Sequence, residues 1–92
     1  MYVLAMKDKD ETAYLTANRW GYLGVEVRKH YNPYDPSIKD CKLIRFVNKE
    51  VALITVGALI ASALKRGFFD LMAELTKLEP VEEPTFEKKP WW

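Results

Sequence analysis

The chain has a single cysteine, Cys41, a single histidine, His30, and only four glycines among its 92 residues. One cysteine allows no intrachain disulfide and no closed thiolate zinc site. Secreted domains this small usually carry several bridges, so the lone thiol points to a reducing, cytoplasmic location. No Asn-x-Ser/Thr sequon occurs, and Met1–Lys7 is too short and lacks the cleavage site of a secretory signal. No apolar run approaches the roughly twenty residues that a membrane helix needs. Charge of one sign is lacking too: the net charge is +1, which gives no overall attraction to polyanions.

What is present is ample for one core. Hydrophobic residues make up 49% of the chain and aromatics 13%, so it can fold without staples. Charge is unevenly spread. Arg19 to Lys49 holds seven Lys and Arg against three Asp and Glu, whereas Gly67 to Trp92 holds three against six. Opposed surfaces of one domain explain this as simply as a partner-specific field does.

Four β-favouring runs come first. Met1–Lys7 and Thr12–Ala17, joined by a charged turn, predict an antiparallel hairpin. In Tyr22–Tyr31, Leu23, Val25 and Val27 alternate with Glu26, Arg28 and His30, the period of a strand. Asn-Pro and Asp-Pro pairs make Asn32–Asp40 a loop. Cys41–Val47 completes an expected four-stranded meander.

Two helices follow. Asn48 suits an N-cap, Glu50 the positive end of the helix dipole, Lys65 and Arg66 the negative end, and Gly67 the left-handed stop. Between these signals Val51–Leu64 carries no charge. Phe68–Leu78 is amphipathic, with Phe68, Leu71, Met72, Leu75 and Leu78 on one face, and Pro80 ends it. The expected architecture is therefore α+β: a small antiparallel meander, a long apolar helix and a shorter amphipathic one. It fills residues 1–79, and 80–92 follow as a Pro-rich, acidic and aromatic tail.

Three features bear on function. The uncharged helix shows a bulky stripe, Leu53, Val56, Ile60 and Leu64, beside small pairs, Gly57 with Ala61 and Ala58 with Ser62. A helix apolar all round must be covered all round. Either the fold encloses it, or Leu53, Val56, Gly57, Ile60, Ala61 and Leu64 meet a second copy or a target. The tail ends in Trp91 and Trp92, which dock either on their own domain or in a partner's groove. The basic half places Arg19, Trp20, Arg28, Lys29 and His30 together, a mixture suited to stacking bases and holding phosphates, although the same rings serve equally as core. No RNP-type, GXXG or finger spacing accompanies them.

Signals for catalysis are few. His30 and Cys41 lack an orienting third group and an oxyanion loop, and Gly21 and Gly24 make no phosphate loop. The expectation is a non-enzymatic binding protein without cofactor or metal, a homodimer through Val51–Leu64, with protein as its partner and nucleic acid as the alternative.

Tyr2-Val3-Leu4, Tyr14-Leu15-Thr16, Trp20, and Lys42–Phe46 running into Asn48-Lys49-Glu50-Val51-Ala52 together resemble small phage and prophage accessory proteins. In those a short meander precedes a helix whose first turn carries Glu and Ala. The likeness covers about half the chain; the Asn32–Asp40 loop is longer here, and Cys41 replaces a small residue. It implies a binder that blocks or sequesters a host factor, of the counter-defence, anti-CRISPR kind, and brings no catalytic residue.

Overall fold

A computed structural model of the protein describes residues 1–38 and 40–92; Lys39, in the expected Asn32–Asp40 loop, lies outside them. The fold is α+β. Among the described residues an antiparallel sheet of five strands carries two helices on one face. In chain order the elements are β1 (Tyr2–Asp8), β2 (Glu11–Asn18), β3 (Val25–Lys29), β4 (Cys41–Leu43), α1 (Lys49–Arg66), α2 (Phe69–Leu75) and β5 (Glu79–Glu82).

The hairpin forms as the sequence implies. Asp8 pairs with Glu11 across a two-residue turn, and Lys9 takes the positive φ (56°) that so tight a turn demands. β3 then lies along β2, but it starts only at Val25, not Tyr22. Leu23 and Gly24 both have positive φ (59° and 73°), and a strand cannot begin before that bend.

The connection is not a simple meander. β4 pairs with Thr16–Asn18 of β2, and farther on Tyr2 and Phe46 exchange backbone hydrogen bonds of 2.8 Å. The Cys41–Phe46 segment thus fills the gap where β1 and β2 part, and regular pairing ends at Leu43 rather than Val47.

The expected tail also belongs in part to the sheet. β5 pairs with β1, Tyr2 opposite Glu82 and Ala5 opposite Glu79. The Glu83 amide donates to the Met1 carbonyl at 2.8 Å, so bonded pairs fall at alternate positions. That places Pro80, opposite Leu4, where no N–H is called for, and a proline is tolerated in the strand. The boundary at residue 79 is therefore corrected: the domain continues through β5.

α1 is longer than the uncharged run. The Asn48 side chain accepts from the Val51 amide at 2.8 Å. At the other end Gly67 turns left-handed (φ 76°), the Phe68 amide reaches the Ala63 carbonyl, and the Gly67 amide reaches that of Leu64. This pair of bonds satisfies carbonyls that the helix end would leave open. α2 stops at Leu75, short of Leu78, although Leu78 still packs in the core.

Alternation along the strands builds two cores. Leu4 and Leu15 face the helices, with Phe46, Val56, Leu71 and Leu75. Val3 faces the other way, with Tyr31, Ile38, Cys41 and Leu43 from the loop and β4. Both sheet faces are therefore covered, one by helices and one by loop and tail.

Candidate functional site

Each helical residue turns about 100° from the last, so α1 has distinct inner and outer faces. Ala52, Val56 and Ala63 are buried against the core, with Leu59 and Ile60 half-buried beside them. Ala52 and Ala63 are wholly enclosed, so small side chains let the neighbouring elements come close. Other large side chains point outward. Ile54 is 72% exposed, Leu53 54% and Leu64 55%, and Gly57, Ala58 and Ala61 lie exposed between them. A Cβ added at Gly57 would meet nothing within 4 Å.

The six expected self-association residues therefore divide. Leu53, Gly57, Ala61 and Leu64 are on the outer face, as a docking surface requires. Val56 and Ile60 are not: they pack inward, because 3.6 residues per turn put them on the Ala52–Ala63 side. Ile54, which the expected stripe passes over, is the most exposed large apolar side chain on the helix. Glu50 caps one end of this face, and Lys65 and Arg66 the other. Among the described residues these three charges make no ion pair within the chain.

The basic, aromatic group is a different kind of surface. Arg19 binds Asp40 at 3.2 Å and lies over the Trp20 ring, 4.7 Å from its centre. Arg28 stands 3.8 Å from Glu26. Lys29 and His30 converge on Glu11 at 3.4 and 3.2 Å, and the Lys29 hydrogen bond, then its charge, then His30 hold the Glu11 carboxyl below its ordinary pKa. Every one of these cations has a carboxylate neighbour, so little uncompensated positive charge is left to attract phosphate. Exposed pairs of this kind add little stability.

The terminal tryptophans are not what anchors the tail. Trp91 is 76% exposed with Lys89 over its ring, and Trp92 is half-buried. The anchor is Phe86, set edge-on to Tyr14 and Tyr31 with centroids 5.7 and 5.6 Å away. Asn32 Nδ2 donates to the Glu87 carbonyl at 2.8 Å and fixes the chain just beyond it. Burial in this aromatic group raises the Tyr14 pKa. A single Phe between Thr and Glu carries no periodic signal, so only the fold reveals its role.

Cys41 is enclosed in the second core, while His30 stands exposed beside Glu11. A hollow of about 620 Å³ lies across β1 and β5, but Lys7, Lys77, Asp8 and Glu79 give it mixed charge and no converging donor set. Among the described residues no group of three His, Cys, Asp or Glu side chains is placed to hold a metal ion, and no helix is long and apolar enough to cross a membrane. Comparison with family models, curated proteins and solved structures finds no match for the chain.

Proposed function

We propose that this chain is a non-enzymatic protein-binding protein whose outward α1 face meets protein, a second copy of itself included. One observation carries the reading: Leu53, Ile54 and Leu64 stand in solvent on a helix face without charge from Val51 to Leu64. Contiguous apolar surface of this kind marks interaction sites, whereas singly scattered exposed residues do not. The pairing of Arg19, Arg28, Lys29 and His30 with carboxylates favours protein over nucleic acid. Blocking or sequestering a host factor, the role that the phage resemblance implies, would use the same face.

Photo-crosslinking tests this in living cells. A benzophenone side chain at position 54 should give protein adducts, and the same group at exposed position 30 should give few. Equal yields from both positions, or none from 54, would overturn the reading.

A further inference from the structure

We infer that the partner on this face is a second copy of the chain, packed antiparallel about a two-fold axis between Gly57 and Ala58. The inference rests on the reading of α1 as a binding face and adds the identity and orientation of the occupant.

Glu50 and Lys65 stand fifteen residues apart, about 22 Å along the axis, with Arg66 next to Lys65. Their midpoint falls between Gly57 and Ala58, where the outer face is narrowest in side chain and most open. A two-fold axis at that point brings Glu50 of each copy to Lys65 of the other. Two symmetric Glu50–Lys65 contacts are then made from one sequence feature, while Lys49 is turned over the Tyr2 ring, 5.8 Å from its centre. A parallel pair would set Glu50 against Glu50 and Lys65 against Lys65.

Packing and dipoles agree with this arrangement. A closed pair must use one self-complementary patch. In the antiparallel register Ile54 of one copy lies over Ala61 of the other, large against small, and Leu53 comes to Leu64 along one flank. Gly57, without a Cβ, sits beside the crossing point and lets the backbones approach. The positive end of each helix also meets the negative end of its neighbour. The face is no longer than one helix, so the pair belongs at the weak end of stable interfaces, with a dissociation constant on the order of micromolar.

The test uses the purified full chain in light scattering and sedimentation. At roughly 100 μM, well above a micromolar constant, the mass should be twice 10.7 kDa and should fall toward 10.7 kDa on dilution. Glu50→Arg alone should weaken association about tenfold, and so should Lys65→Glu with Arg66→Glu. All three changes together should restore it. Each reversal opposes the α1 dipole, so thermal melts of the dilute variants should fall by a few degrees, and association is compared at a temperature where all of them remain folded. A dimer that ignores the reversals, or that the combined variant fails to recover, overturns the antiparallel arrangement. A monomer at every concentration, with position 54 crosslinking to some other protein in cells, overturns the second copy as occupant while leaving the binding face intact. A monomer with no crosslinks overturns both.

Discussion

Leu15→Ala should cost about 3 kcal/mol, within the ~2–5 kcal/mol seen when a buried leucine is cut to alanine. Leu15 is fully buried on β2, which is bounded by β3 on one edge and by β1 and β4 on the other. Its neighbours are held by two ladders and by the helices, so they can relax only partly into the space. For a chain this short the loss should lower Tm by roughly 10–20 °C. Leu53→Ala is the matched comparison. Leu53 is half in water, so in dilute protein the change should cost less than about 0.5 kcal/mol. Urea melts of both variants at low concentration check the pair. Similar losses at the two positions would contradict the outward placement of Leu53.

The same substitution should act in opposite directions at two glycines. A Cβ on Gly21 would lie 2.1 Å from the Val25 carbonyl oxygen, far inside contact distance. The Gly21 backbone is ordinary (φ −82°, ψ 161°), so the requirement is space, not torsion. Its amide also closes the turn onto the Asn18 carbonyl at 3.0 Å. The clash is with backbone, and relieving it must shift the start of β3. Gly21→Ala should therefore lose more than about 2 kcal/mol, at or beyond the usual cost of overpacking. Gly57→Ala, in the middle of α1 with open space around it, should gain about 0.5–1 kcal/mol in the isolated subunit. Thermal melts in dilute protein decide this, and a gain at position 21 would contradict the turn geometry.

Legibility in the sequence followed the locality of each cause. Asn48, Glu50, Lys65, Arg66 and Gly67 act on their own helix ends, and they bounded α1 correctly. The alternation of Val25, Glu26, Val27 and Arg28 is equally local and gave β3, apart from the left-handed bend at Leu23 and Gly24. The inward side of α1 was not legible. When every position is apolar, periodicity carries no direction, and the bulky stripe joined the inward Val56 and Ile60 to the outward Leu53 and Leu64. β5 was hidden by Pro80, whose tolerance depends on register with β1. The pairing of Lys29 and His30 with Glu11 likewise needs two strands to be brought side by side. The place of Phe86 is defined by Tyr14 and Tyr31, which come from distant parts of the chain.

Paramagnetic broadening of methyl NMR signals gives the most direct check on the outward face of α1. A soluble relaxation agent, added to dilute protein, should strongly broaden Ile54, Leu53 and Leu64 and spare Leu4, Leu15 and Leu75. On concentrating the sample, Ile54 should become shielded while the buried methyls stay unchanged. An Ile54 methyl as sheltered as that of Leu15 in the dilute chain would contradict the account, since the subunit would then cover its own helix and leave no surface for a partner.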